Sequence, residues 1–200
     1  GITPLVGDIV DIEVNDSEMA FLTDIHERSS ELIRPAVANV DQALVIFAVA
    51  HPVPSTRLLD QFLINMEYQE IETIIVFSKI DLMKNDMNEL EELERVYSKT
   101  GYKVIPLSNR TGEGLNEIKE AIKGKTTVLS GPSGVGKSSL INKLIPGYDA
   151  ETGGISKKLR KGKNTTRHSE IIPIAELEDT YVIDTPGYSR IQLVVEDAEA

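Results

Sequence analysis

From residue 41 onward, short apolar runs alternate with amphipathic helical stretches, and this alternation restricts the possible folds more than any other feature. The first apolar run spans 43–50 and has the continuous hydrophobicity of a strand buried on both faces. The next stretch places apolar residues on one helical stripe, which consists of Leu58, Leu59, Phe62, Leu63 and Met66. Repeated along the chain, this order predicts a doubly wound, mostly parallel α/β sheet.

The later apolar runs continue the same order. Strands are predicted over 73–77, 104–107 and 126–129, and helices over 89–97, 114–122 and 137–144. Two final apolar runs, 170–174 and 180–183, are joined by a short acidic turn. A connection of this kind favours an antiparallel pair at the edge of the sheet.

Residues 1–34 have a different character and predict short strands. Val10, Ile12 and Val14 alternate with Asp11 and Glu13, as expected for a strand with one apolar face. About 30 residues of strand cannot close a stable barrel alone. We therefore divide the chain into a β segment over 1–34, either packed on the rest or part of a larger β-module, and a main α/β domain over 35–200.

The bulk properties exclude several classes of protein. The chain has no cysteine, so disulfides and cysteine-bound zinc are excluded within its 200 residues. It has neither an apolar run of about 18 residues nor a signal-peptide pattern at its start, and we expect a cytoplasmic protein with no membrane contact. The net charge of -11 argues against a uniformly basic surface.

One local cluster of basic residues stands out from this acidic background. It consists of Lys157, Lys158, Arg160, Lys161, Lys163 and Arg167. Two interpretations stay open for it: a solvated loop, or a patch that contacts nucleic acid.

The segment Gly131–Ser138 matches the phosphate-binding pattern G-x-x-x-x-G-K-S/T between a predicted strand and a predicted helix. Glycines there allow backbone N–H groups to turn around a β-phosphate at the positive end of the helix. Lys137 is expected to reach the β- and γ-phosphates, and the Ser138 hydroxyl to bind Mg²⁺. The residues expected to bind the nucleotide here are Ser133, Gly134, Val135, Gly136, Lys137, Ser138 and Ser139.

Two further sequence patterns predict residues that bind Mg²⁺ and the γ-phosphate. Asp184 follows an apolar strand in the sequence Asp-Thr-Pro-Gly, where it can hold Mg²⁺ while the Gly187 N–H meets the γ-phosphate. Thr165 and Thr166 lie between the two motifs, where a switch threonine must be to reach Mg²⁺. Either hydroxyl could coordinate, and Thr165 is our first choice.

Ser78-Lys79-Ile80-Asp81 follows the strand over 73–77 and predicts recognition of guanine. A carboxylate at Asp81 can accept both guanine N1–H and N2–H, a pair of donors that adenine lacks. The stem of Lys79 can cover the face of the base. The turn formed by Ser108, Asn109 and Arg110 follows the next strand and could present backbone N–H groups to the guanine oxygen.

The order of these motifs is unusual. In ordinary GTPases the phosphate loop comes first, whereas here the guanine motifs at 78–81 and 108–110 precede the phosphate loop at 131–138. The threonines and Asp184 follow it. This order is a circular permutation, and it places the second switch at the end of the domain.

With this order, the chain resembles the RsgA/YjeQ family across residues 35 to about 191. The resembling segments are Asn39-Val40-Asp41-Gln42, Ser78 to Leu82, Thr111 to Leu115, Gly131 to Ser139, Thr165 to His168 and Asp184 to Tyr188. Residues 4–34 resemble the later strands of that family's OB-fold. The resemblance implies a GTPase with a P-loop NTPase fold that binds GTP or GDP with Mg²⁺ and acts on the small ribosomal subunit and its rRNA.

Departures from the family pattern modify this expectation. Ser78 stands where relatives usually have Asn or Thr, and Asn164 stands where they commonly have a histidine, with His168 four residues further on. The family's C-terminal zinc domain and the first part of its OB-fold lie outside these residues, so we expect a fragment of a longer protein. We expect it to be a monomer.

The sequence also predicts how hydrolysis is controlled. Tyr188 follows Gly187 where a water-orienting glutamine would stand, so intrinsic hydrolysis is expected to be slow. We expect the ribosomal particle to order the basic loop over 156–168. Three alternatives stay open: an RNA-binding module gated by nucleotide with vestigial hydrolysis, another permuted ribosome-assembly GTPase, and an ATP-specific enzyme.

Overall fold

The computed structural model describes residues 2–15, 19–52, 55–83, 88–148 and 169–186. The predictions made for Thr165, Thr166, Gly187 and the basic cluster lie outside these ranges, as do those for Asn164, His168 and Tyr188. In chain order the elements are β1 (Val10–Val14), β2 (Ala20–Ile25), β3 (Glu31–Ile33), β4 (Ala36–Ala38), β5 (Gln42–Ala48), α1 (Thr56–Tyr68), β6 (Glu72–Ser78), α2 (Asn88–Lys99), β7 (Lys103–Leu107), α3 (Leu115–Ile122), β8 (Thr126–Ser130), α4 (Lys137–Leu144), β9 (Glu170–Pro173) and β10 (Tyr181–Asp184).

Six strands form one sheet in the order β7-β6-β5-β8-β10-β9. Neighbouring strands pair in parallel except at the edge, where β9 is antiparallel to β10. The chain thus builds outward from β5 in one direction and from β8 in the other. This topology confirms the predicted doubly wound sheet and its antiparallel edge pair.

The helices cover both faces of the sheet because each has one apolar stripe. The buried side chains of α1 and α2, among them Phe62 and Tyr97, pack in one hydrophobic cluster. Those of α3 and α4, among them Ile118 and Leu140, pack in a second cluster on the other face. The sheet therefore lies between two helical layers, with α1 and α2 on the same side. None of the described helices is long and apolar enough to cross a bilayer.

The N-terminal strands are only partly joined to this core. Strands β3 and β4 pair with each other, and Leu32 and Val37 are buried in the cluster under α1. The proposed division between residues 34 and 35 falls in the turn between these two strands.

The β1–β2 hairpin, by contrast, leaves apolar side chains exposed, including Ile12 at 57% and Phe21 at 51%. The β1 strand is continuous over Val10–Val14 as predicted, and the register shift between Asp11 and Ile12 reflects one extra residue, Thr23, in β2.

Candidate functional site

The site lies at the carboxyl edge of the sheet. Parallel strands β6, β7, β8 and β10 end there at Ser78, Leu107, Ser130 and Asp184. In doubly wound sheets, ligands bind beyond this edge, near the point where the strand order reverses. The motifs predicted from separate parts of the sequence are therefore brought to one side of the molecule. We call residues 131–139 with Asp184 the phosphate half, and residues 78–81 with 108–110 the base half.

The backbone of the phosphate half requires glycine at defined positions. Gly131 has a φ of +142°, and a Cβ there would lie 2.2 Å from the carbonyl oxygen of Ile46. Gly136 precedes α4 with a φ of +104°. These conformations are open to glycine and strained for other residues. They turn the segment after β8 into a tight loop at the N-terminus of α4, where the exposed N–H groups and the helix dipole favour an anion.

Lys137 is buried inside this loop, with only 7% of its surface exposed. Its ammonium group donates to the carbonyl oxygens of Gly131 at 2.8 Å and Pro132 at 2.9 Å. Burial lowers the pKa of Lys137 to about 8, and the nearby carboxylate of Asp184 acts in the opposite direction. If Lys137 contacts phosphates as predicted, those contacts would replace its bonds to the carbonyls of Gly131 and Pro132.

Asp184 lies beside the loop because β10 runs parallel to β8. It is 5% exposed, and burial raises the pKa of its carboxyl group while Lys137 lowers it. The adjacent Thr185 is buried and donates to the carbonyl oxygen of Leu129 at 2.6 Å, which fixes the end of β10 against β8.

The predicted Mg²⁺ ligands combine a carboxylate at Asp184 with a hydroxyl at Ser138, which is half-buried at the start of α4. Both are the hard oxygen donors that Mg²⁺ prefers. Within the described ranges, no cluster of three or more His, Cys, Asp or Glu side chains could hold a metal by itself. A site here therefore depends on few protein ligands, as is usual for Mg²⁺ bound with phosphates.

In the base half, Asp81 accepts a hydrogen bond from the Ser108 hydroxyl at 2.7 Å. Arg110 lies 4.0 Å from the other carboxylate oxygen. The backbone N–H of Ser108 donates to the Glu113 carbonyl, so this residue is occupied as a donor. The prediction of amide donors to guanine then rests on Asn109 and Arg110, while Ser108 orients the carboxylate.

Three side chains of the base half bond directly to the phosphate half. The buried Ser78 hydroxyl donates to the Val135 carbonyl at 2.5 Å. The Lys79 ammonium donates to the Gly134 carbonyl at 2.6 Å, and the Asn109 amide to the Gly136 carbonyl at 3.2 Å. The Ser78 side chain, although smaller than the Asn or Thr that relatives usually have at this position, therefore still bonds to the phosphate-binding loop. The two halves form one continuous site, with Asp81 and Lys137 contributed by segments far apart in the chain.

Sequence reasoning missed several parts of this site. Lys79 also donates to the carbonyl of His51, in the segment after β5, and Thr185 holds the end of β10. The backbone carbonyls involved carry no sequence signal, because every residue has one. Of the remaining predicted residues, Ser133 in the loop and Ser139 in α4 are exposed.

Comparison with known proteins gives relatives over nearly the whole chain. A sequence model of the family described as RsgA GTPase matches residues 25–194. The small ribosomal subunit biogenesis GTPase RsgA of Agathobacter rectalis is 52% identical over 95% of this chain and 62% of the relative. The protein of the same name from Alkaliphilus metalliredigens is 45% identical over 96% of this chain and 65% of the relative. The chain thus spans somewhat less than two thirds of these relatives.

Two solved structures are similar. The crystal structure of YjeQ from Thermotoga maritima has a TM-score of 0.73 and 35% identity, covering 93% of this chain and 62% of that one. The structure of YloQ, described as a circularly permuted GTPase, has a TM-score of 0.70 and 35% identity, covering 96% and 60%. The shared fold agrees with the permutation inferred from the order of the motifs.

Proposed function

The chain belongs to the RsgA GTPase family, and from this premise we propose that it binds GTP and hydrolyses it to GDP and phosphate. The observation that carries the proposal is the direct bonding between the two halves of the site. Ser78 and Lys79, next to the base-reading Asp81, bond to carbonyls of the loop that surrounds Lys137. A carboxylate suited to guanine and a cradle suited to phosphates thus belong to one pocket.

Each group has a separate part in the proposed reaction. The backbone N–H groups of residues 133–139 hold the phosphates, and Lys137 neutralises charge on them. Ser138 and Asp184 hold Mg²⁺, which spreads the charge that develops on the phosphate oxygens. Thr165, proposed as a further Mg²⁺ ligand, and Gly187, proposed to donate to the γ-phosphate, complete the set. Positioning and charge neutralisation supply most of the catalysis, since phosphoryl transfer needs no covalent intermediate on the protein.

We further propose that the chain acts in the cytoplasm as a monomer, in assembly of the small ribosomal subunit. The names of its relatives support this role. The basic cluster would contact rRNA, since phosphates of RNA attract lysine and arginine. Any zinc domain would belong to the part of such relatives that the chain does not span. Tyr188 stands in place of a water-orienting glutamine. We therefore propose that the small ribosomal subunit completes the site and accelerates hydrolysis.

Two measurements test these proposals. Unlabelled GDP should displace labelled GDP at concentrations at least about fivefold lower than those needed for ADP, since one bidentate contact contributes roughly 1 to 3 kcal/mol. Equal displacement by ADP would exclude guanine specificity.

Single-turnover hydrolysis should be faster with purified small subunits than without them. Equal and measurable rates would exclude activation, and GTP that persists unchanged on the particle would favour a nucleotide-gated RNA-binding module, the alternative suggested by Asn164.

A further inference from the structure

A groove separates α1 from α2 on the face of the molecule that these helices cover. Its floor includes Leu63, Tyr97 and Tyr102, and its volume is about 1060 Å³. Apolar side chains also line its rim, with Ile64 49% exposed and Val96 41% exposed. Apolar surface left in water is costly, and a contiguous patch of it usually marks a contact with another molecule.

The charged side chains that line the groove are carboxylates, and one of them, Glu92, is already paired with Arg95 at 2.6 Å on the same helix. Three carboxylates line it, those of Asp60, Glu67 and Glu92, and the part of its lining that the structure describes contains no Lys, Arg or His. The hydroxyl of Tyr97 donates to Asp60 at 2.8 Å, and that of Tyr102 donates to Glu67 at 2.9 Å. These bonds hold two of the carboxylates at the border of the apolar floor.

The groove is large enough to receive one side of a helix. An α-helix is about 10 Å across with its side chains and rises 5.4 Å per turn, so a volume of about 1060 Å³ can take up the apolar face of a short helix. Two turns present apolar residues at i, i+3, i+4 and i+7, the pattern by which an amphipathic helix fills a hydrophobic groove.

We propose that the α1–α2 groove binds an amphipathic helix of a partner protein, with an apolar stripe flanked by Lys or Arg. The apolar floor receives the stripe, and the carboxylates of Asp60 and Glu67 pair with the flanking cations. RNA is disfavoured because its phosphates would meet carboxylates. This surface is separate from the nucleotide site, and the inference does not depend on hydrolysis.

The test uses fluorescence anisotropy with designed peptides of about 18 residues. One is an amphipathic Leu/Lys helix, the second has the same composition in scrambled order, the third contains a central proline, and the fourth is the corresponding Leu/Glu helix. The Leu/Lys helix should bind to the chain at least about tenfold more tightly than the other three. Equal binding of the scrambled or proline peptide would overturn the proposal.

Substitutions then locate the contact. Replacing both rim residues, Ile64→Ser with Val96→Ser, should weaken the Leu/Lys peptide about tenfold. Ile171→Ser, a matched change at a residue 40% exposed on β9, should have no effect. GDP affinity should stay unchanged in all these variants, which shows that the fold is intact. Equal peptide binding by the rim variant and by Ile171→Ser would place the peptide elsewhere and overturn the proposal.

Charge reversal tests the cationic flank. Asp60→Lys with Glu67→Lys should reverse the preference between the Leu/Lys and Leu/Glu helices, and an unchanged preference would overturn the proposal. Sedimentation of the chain alone distinguishes another occupant. A dimer that dissociates in the Ile64→Ser, Val96→Ser variant would show that the groove binds a second copy of the chain. Displacement of the bound Leu/Lys peptide by an RNA oligonucleotide, with the RNA itself retained on the groove, would show a nucleic-acid site instead. Either result would also overturn the proposal.

Discussion

The two halves of the site are held in place by different means. The phosphate half is shaped by the main chain: Gly131 and Gly136 adopt conformations with positive φ, and the ammonium of Lys137 bonds to two loop carbonyls. In the base half, side chains orient one another, with the Ser108 hydroxyl holding the Asp81 carboxylate at 2.7 Å. Backbone atoms suit phosphate, which every nucleotide shares, whereas side chains suit the base, which must be distinguished.

This difference has a consequence for substitutions. Changes in the phosphate half should alter folding or the binding of all nucleotides, because its glycines and its buried charge affect the whole loop. Changes in the base half should alter the choice between nucleotides and leave the fold intact. Substitutions in each half, and the pH dependence of binding, test this contrast.

The largest effect is expected for Gly131→Ala, measured as the free energy of unfolding in urea. The new Cβ would lie 2.2 Å from the carbonyl oxygen of Ile46, so the sheet must shift to admit it. We expect a loss of at least about 3 kcal/mol. Gly134→Ala is the matched control, since its φ of +79° is strained but a Cβ would have no atom within 4 Å. It should lose only about 1 kcal/mol. Equal losses of unfolding free energy in the two variants would contradict the role of close packing between Gly131 and the carbonyl of Ile46.

Lys137→Met should weaken GDP binding by about 100-fold, because an ammonium in contact with phosphates contributes roughly 3 kcal/mol. The measurement is titration of the chain with labelled GDP. Lys143→Met, an exposed lysine of the same helix, should bind GDP normally.

The same variant has a second expected outcome. Burial lowers the pKa of Lys137 from its ordinary value of 10.5 to about 8, so the charged form opposes folding at neutral pH. Lys137→Met should therefore unfold at no lower urea concentration than the parent chain. Earlier unfolding would show that the ammonium stabilises the empty loop.

Asp81→Asn should change the choice of nucleotide and not the fold. Loss of the bidentate contact should reduce the preference for GDP over ADP by roughly 5- to 150-fold, or about 1 to 3 kcal/mol. The unfolding midpoint should stay close to that of the parent. Asp179→Asn, on the exposed turn before β10, is the control with the same chemical change. An unchanged preference in Asp81→Asn would remove Asp81 from base recognition.

The smallest effect concerns pH. Phosphates bound near Lys137 should raise the pKa of the lysine above its free value of about 8, so both states are protonated below that pH. Above about pH 8, Lys137 of the GDP-free chain loses its proton, so GDP binding must be accompanied by uptake of a proton. GDP affinity should therefore be constant up to about pH 8 and then fall by up to tenfold per pH unit.

Calorimetry in two buffers of different ionisation enthalpy checks the source of this change. About half a proton should be taken up per GDP bound near pH 8. Binding without proton uptake would mean that Lys137 stays charged in the chain without nucleotide. The phosphate half, like the base half, would then need no change in protonation to bind its ligand.

Much of the fold could be predicted from the sequence. The strand runs and helical stripes lie within a few residues of the observed elements, and helix α4 begins and ends as predicted at Lys137 and Leu144. The parallel sheet and its antiparallel edge were also confirmed. The β1 strand lies where its alternation predicted it, but the extra residue in its partner β2 leaves no signal in β1 and could not be predicted from it.

The motifs, their permuted order and the strands that carry them can be read from the sequence alone, because they depend on local patterns of side chains. How the motifs meet became visible when the folded chain brought them together. The bonds from Ser78 and Lys79 to the loop end on backbone carbonyls, which look alike in every sequence. The burial that lowers the pKa of Lys137 depends on strands and helices from the whole domain packing around it, and no single segment of the chain encodes it.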